Sequence, residues 1–281
     1  MVFIWGTNFV VIKIGLGDFP PLLFATLRFV LAALPWIFFI RRPAVAWRYL
    51  IAFGLLLGVG QFGLLFIAMR DDISPGLASL VIQVQVFFTV GLSLWLLREP
   101  LHARNLLGLA LAAGGLLIIG THVDAVTTVK GLVLVLLAAL CWAGANLTVK
   151  YAARRHGSFN VLGFMIWSSV FAVPPLAVLA LALEGPEPVM TSLGQAGWGA
   201  WAAVLWQSLG NTLFGFGVWN WLLARHSAAV FTPTALLVPV FGMAASSLVL
   251  DEPLYGWKLA AAGLIVAGLA VNMFGGMVKR A

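Results

Sequence analysis

Ten long apolar runs, each bounded by charge, proline or glycine, limit what this chain can fold into. They cover residues 2–17, 22–40, 47–69, 74–96, 102–120, 131–150, 159–183, 198–224, 229–250 and 256–276. A helix needs about 20 apolar residues to cross a bilayer core. Lipid offers no partner to a free backbone N–H or C=O, so a run of this length crosses as a helix. The runs predict an all-α membrane protein with ten transmembrane helices. Within 281 residues they leave short loops and no room for a separate soluble domain. Pro35, Pro174, Pro175, Pro233 and Pro239 interrupt several runs, a break that neighbouring helices can accommodate. The first run has no basic leader and no Ala-x-Ala end, and it contains Asn8 and Lys13. It reads as a membrane helix, not a cleaved signal.

Charge is scarce, and its placement is informative. Only 9% of residues are charged, against about 25% in soluble domains. The net charge of +7 reads as basic cytoplasmic loops that set orientation, so no nucleic-acid partner is expected. With the N-terminus inside, the cytoplasmic face receives Arg41, Arg42, Arg48, Arg98, Arg104, Lys150, Arg154, Arg155, Arg225, Lys279 and Arg280, which is 11 of 16 basic residues. Asp18, Asp71, Asp72, Asp124, Glu184, Glu187, Asp251 and Glu252 fall on the other face, leaving Glu99 inside. An even number of helices then puts both termini in the cytoplasm. The single cysteine, Cys141, rules out an intrachain disulfide.

The sequence also repeats itself. Trp5 and Lys13 enclose Asn8, and Trp142 and Lys150, 137 residues on, enclose Asn146. Arg98-Glu99-Pro100-Leu101 returns as Asp251-Glu252-Pro253-Leu254, 153 residues on, and Gly115 and Gly268 follow at matching offsets. The loop holding Glu184-Gly185-Pro186-Glu187-Pro188 absorbs the difference. Five helices is an odd number, so two copies enter the membrane in opposite senses. Residues 1–125 and 126–281 are therefore expected to form inverted halves with substrate between them.

Trp5-Gly6-Thr7-Asn8 with Lys13, Pro20-Pro21 leading to Arg28, and a Glu-Pro-Leu closing each half resemble the drug/metabolite transporter superfamily, specifically its ten-helix EamA-type exporters. The resemblance spans the whole chain and is nearest to bacterial exporters of amino acids. It implies inverted halves, alternating access, and a central cavity lined mainly by helices 1, 3, 4, 6, 8 and 9. It also implies packing or dimer contacts through the last helix of each half, as a monomer or homodimer in a bacterial inner membrane.

Polar side chains inside apolar helices are the candidate substrate ligands, because lipid cannot satisfy them. Trp5 with Asn8 and Trp142 with Asn146 each share a helix face. Gln61, Gln83, Gln85, Gln207 and Asn211 add carboxamides, which both donate and accept hydrogen bonds. They suit the ammonium and carboxylate of a zwitterion; helix-to-helix bonding is the plainer alternative. Gln83 and Gln85 lie about 160° apart on an α-helix, since two residues turn it about 200°, so one of them is expected to face the cavity. Trp206 and Trp167, with Trp5 and Trp142, form an apolar wall or fill the packing. Trp36, Trp47, Trp95, Trp198 and Trp257 lie near helix ends, as an aromatic belt would. Lys13 and Arg28 either attract an anion or snorkel outward, and snorkelling is the expectation. Gly54 and Gly58 form a close-packing step. Gly210, Gly215, Gly217, Pro233 and Pro239 mark gating helices that bend, with close helix packing the equal alternative. Trp219 and Asn220 follow on the same helix.

No Asp or Glu lies in the middle of a run, and His102, His122, His156 and His226 lie near loops. That pattern predicts facilitated or potential-assisted export without a carboxylate proton relay. No metal-ligand cluster, nucleophile motif or cofactor site is present, so no cofactor and no enzyme activity are expected. The leading expectation is an exporter of amphipathic metabolites, aromatic and large apolar amino acids included. The alternatives on the same fold are drug-like compounds, or nucleotide sugars and phosphorylated metabolites.

Overall fold

The computed structural model describes residues 1–97, 103–122, 127–215, 218 and 237–274, and its regular structure there is all helix, without a strand. The helices are α1 (Val2–Asp18), α2 (Pro21–Ala33), α3 (Trp47–Asp71), α4 (75–97), α5 (Ala103–Thr121), α6 (Val129–His156), α7 (Val161–Glu184), α8 (Pro186–Gln195), α9 (198–215), α10 (Leu237–Val249) and α11 (Gly256–Phe274). By length and hydropathy α3, α4, α6 and α7 can each cross a membrane, and α1 with α2, bent by 117°, makes a fifth crossing if the pair is one span. The chain is an all-α membrane protein. The first Glu-Pro-Leu copy (Arg98 to Leu101), Gly217, Trp219, Asn220 and Pro233 lie outside the described residues.

Two boundaries differ from the sequence reading. The run 22–40 is helical only to Ala33. Pro35 has no N–H to carry the ladder onward, and 34–39 continue as hydrogen-bonded turns. The loop after the seventh run holds the short helix α8, opened by Pro186 at a position where no N–H is needed. Pro174 and Pro175 sit inside α7 without ending it. Trp198 and Trp95 are exposed on the outer surface near helix ends, as belt residues would be.

One end of the bundle is tied together by acids that receive helix starts. Glu252 accepts from Ser74 Oγ (2.5 Å), the Gly76 backbone N–H (3.0 Å) and Lys258 Nζ (2.9 Å), so it caps α4. Glu184 accepts from the N–H groups of Leu22 and Leu23 at the start of α2 (2.6 and 3.0 Å). Asp18 accepts from the Gly197 N–H at the start of α9 (2.8 Å). Asp72 accepts from Thr128 Oγ1 (2.8 Å) and Lys130 Nζ (2.6 Å) at the start of α6. The first four N–H groups of a helix lack partners and carry partial positive charge, so carboxylates suit them. Lys13 does the converse: its Nζ donates to the Met69 carbonyl (3.1 Å) and the Arg70 carbonyl at the C-terminal end of α3. Lys13 thus reaches outward to this end, as a snorkelling lysine would.

Small residues set the closest helix crossings. Gly54 and Gly58 on α3 face Ser168 and Ala172 on α7. On α5 and α11, a Cβ at Gly268 would lie 2.5 Å from the Gly108 carbonyl, closer than real Cβ contacts run. The neighbouring Asn105 Nδ2 donates to Asn272 Oδ1 (2.5 Å) across the same crossing.

Gly268→Leu should therefore cost about 1–3 kcal/mol of stability by overpacking. Gly263→Leu, where a Cβ meets open space, should cost little; thermal unfolding of the purified proteins compares the two. The Asp72 carboxyl is held below the ordinary carboxylate range, chiefly by its hydrogen bond from Lys130. A lowered folded-state value stabilises the fold at every pH above about 3.9, the unfolded value. That contribution is lost as pH falls through the folded value. The stability gap between wild type and Asp72→Asn should thus be constant near neutrality and close below about pH 4, as pH-dependent unfolding will reveal.

Candidate functional site

A cavity of about 210 Å³ lies within the helix bundle, lined by Trp5, Asn8, Phe9 and Ile12 of α1, Gln61, Phe62 and Leu65 of α3, and Ile82, Gln83 and Gln85 of α4; Trp142 and Asn146 of α6, Asn211 of α9 and Val238 of α10 complete it. Six carboxamides and two indoles thus share walls with aliphatic and phenyl groups. No charged side chain is among these lining residues.

The carboxamides are not equivalent. Asn146 Nδ2 donates to Gln85 Oε1 (3.0 Å) and to Thr89 Oγ1 (3.4 Å), so α4 and α6 are bonded to each other at the wall. The side-chain carbonyls of Asn8 and Gln61 are buried and have no partner among the described residues. They present acceptors at the cavity. Asn211 Nδ2 donates to Gln207 Oε1 (3.3 Å).

Both Gln83 and Gln85 line the cavity, against the expectation that one would. The backbone explains it: Ile82–Val84 is a 3₁₀ turn. Three residues per turn rotate two steps by about 240°, which brings the two side chains within about 120° of each other. Two other candidates lie outside the walls. Trp206 faces away and is 36% exposed, as an aromatic on the outer surface would be. Gln207 is fully buried behind the wall, where its Oε1 accepts from Arg28 Nη1 (2.6 Å). Arg28 does not snorkel: it is fully buried, with its guanidinium carbon 3.5 Å from the centroid of the Phe62 ring. The apolar lining residues carried no sequence signal, being apolar residues in apolar helices.

Two stretches of wide-turn π-helix flank the site. They are Gly54–Gly63 in α3 and Trp206–Gly215 in α9, offset by 152 residues. Gln61 and Phe62 lie on the first, Gln207 and Asn211 on the second. π-Helical turns are rare and concentrate at functional sites. Gly215 has a packing reason as well, because a Cβ there would lie 2.6 Å from the Trp5 indole nitrogen. Gly210 packs beside the ring of Trp206, and Pro239 is buried within α10.

The EamA-like transporter family matches residues 1–121 and 129–274. A protein of Salmonella typhimurium named "Probable amino-acid metabolite efflux pump" is 39% identical over 100% of this chain and 94% of its own length. An Escherichia coli protein of the same name is 39% identical over 98% of this chain and 93% of its own. A Bacillus subtilis protein named "Uncharacterized transporter YoaV" is 30% identical over 96% and 93%. A solved crystal structure, 18% identical, superposes on 99% of this chain and 98% of its own with a TM-score of 0.60.

Proposed function

Because the chain belongs to the EamA-like transporter family, we propose that it is a secondary exporter of small amphipathic metabolites, with aromatic and large apolar amino acids foremost. One observation carries this reading: the cavity mixes aromatic rings with carboxamides and has no charged side chain in its lining. The rings and aliphatic walls accept an apolar side chain. The unpartnered carbonyls of Asn8 and Gln61 accept hydrogen bonds from an ammonium group, which donates and cannot accept. At about 210 Å³ the cavity falls below the roughly 300–1,000 Å³ of drug-sized sites. That size argues against nucleotide sugars and larger drugs. The printed names of the Salmonella and Escherichia relatives agree with the reading.

Alternating access between two inverted five-helix halves, 1–125 and 126–281, is the transport mode of this reading. Three things support the division. The family matches fall on either side of residues 122–128. The π-helical stretches are offset by 152 residues, nearly the 153 that separates the Glu-Pro-Leu motifs. The six wall-forming segments are also those that the family resemblance implies. Substrate passes outward across the inner membrane as α9 and α10 bend near Gly210, Gly215 and Pro239, with both termini in the cytoplasm. The lining contains no carboxylate to carry a proton, so flux follows the substrate gradient or the membrane potential.

Purified protein in proteoliposomes loaded with radiolabelled amino acids should give saturable, competitor-sensitive efflux of aromatic and large apolar members. Asn8→Leu, which removes a polar partner from the cavity, should reduce that efflux by roughly tenfold or more. Absence of saturable flux for every amino acid would overturn the reading. An imposed pH gradient at zero membrane potential should not cause accumulation. Accumulation that tracks such a gradient would show proton coupling instead.

A further inference from the structure

Arg28 is the largest fully buried side chain among the described residues, and its charge is incompletely matched. Its Nη1 donates to Gln207 Oε1 at 2.6 Å. Its Nε and Nη2 have no partner among the described residues, and neither does the neighbouring Gln207 Nε2. Gln207 Oε1 also accepts from Asn211 Nδ2, so two donors fix the orientation of that carboxamide and leave its own NH₂ free to donate. Three buried donors are therefore left without an acceptor among the described residues. No described acid lies within ion-pair distance of Arg28.

The two open guanidinium donors are not arbitrary. Nε–H and Nη2–H lie side by side on one edge of the guanidinium plane, parallel to each other. That edge forms the fork that binds both oxygens of a carboxylate at once. Phe62 lies over the guanidinium face, 3.5 Å from ring centroid to guanidinium carbon. A ring over the face offers a cation–π contact. It cannot accept the in-plane N–H groups. Phe62 also lines the cavity, so the cation is one aromatic ring away from bound substrate. Asn211 touches the cavity and, through Gln207, the same guanidinium.

We infer that Arg28, with Gln207 beside it, is a carboxylate subsite reached from the cavity past Phe62. This deepens the exporter reading and rests on it for the identity of the substrate. The carboxylate receives Arg28 Nε–H and Nη2–H, while Gln207 holds the guanidinium in place from its Nη1 side. The substrate ammonium lies toward Asn8 and Gln61, and its side chain fills the aromatic part of the cavity. Phosphate could also meet the fork. A doubly charged phosphate, however, faces a single buried cation here, and the carboxylate matches it in charge.

The test compares acid and amide of one skeleton on the full-length purified protein. Equilibrium binding is measured for 3-phenylpropionate and 3-phenylpropionamide, with inorganic phosphate as a third probe. Flux of phenylalanine and its primary amide is measured in proteoliposomes. Wild type should favour each acid over its amide by at least about tenfold, the scale of a charge-assisted hydrogen bond, and should bind phosphate weakly. Arg28→Gln should bring the ratio near one by weakening the acid alone, and Arg28→Lys, which keeps the charge without the fork, should restore part of it. Phe62→Leu, which uncovers the guanidinium, should raise affinity for the acid and not for the amide. If neither Arg28 variant folds, the wild-type ratio and Phe62→Leu decide. A wild-type ratio near one, or a ratio unchanged in Arg28→Gln, overturns the subsite. Tighter binding of phosphate than of carboxylate overturns the assignment of ligand. An Arg28-dependent preference without amino-acid flux keeps the subsite and removes the exporter reading. Saturable flux with no acid preference does the reverse.

Discussion

A polar group buried among membrane helices has only other protein groups, enclosed water or a ligand to turn to, because the surrounding lipid offers no hydrogen bond. In this chain the demand is met differently at two depths. At one end of the bundle it is met almost fully by side chains from distant parts of the sequence. Asp18, Asp72, Glu184 and Glu252 each receive the start of another helix. Around the cavity it is met only in part. There Asn146 and Gln85 bond each other, while Asn8, Gln61 and Arg28 keep unsatisfied atoms. The contrast separates groups that hold helices together from groups that await something else.

Much of the frame was legible in the sequence, because hydrophobic run length is dictated by bilayer thickness. The clustering of acids on one predicted face was legible too, although its reason was not. Those acids sit where helices begin, and helix starts attract negative charge. Run length could not show that α2 stops at Ala33. Residues beyond it remain apolar, and only the missing N–H of Pro35 distinguishes them. It also hid α8, whose mixed composition resembles an ordinary loop.

The candidate site was legible in composition and less so in orientation. Carboxamides stand out in apolar helices because lipid penalises them. Which way they point depends on the helix twist, and this chain changes its twist at the site. A 3₁₀ turn at Ile82–Val84 brings Gln83 and Gln85 onto one wall. A π-helical stretch carries Trp206 outward and Gln207 to the back of the wall. Arg28 escaped for another reason. A lone arginine in an apolar run is normally expected to reach for the membrane surface, and sequence alone could not reveal that aromatic rings and Gln207 enclose it.

The Glu252 cap at the start of α4 has a consequence for how the protein is made. Its acceptor oxygen lies 176 residues after the Gly76 N–H that it serves. At ordinary synthesis rates of about 5–20 residues per second, α4 emerges about 10–35 s before its cap exists. During that interval the first helices sit in the membrane with their ends unmatched, as does α2 while it waits for Glu184, 162 residues on. The bundle therefore locks late and from its C-terminal part. A nascent chain interrupted before residue 252 would carry most of its hydrophobic helices yet lack this tie between them.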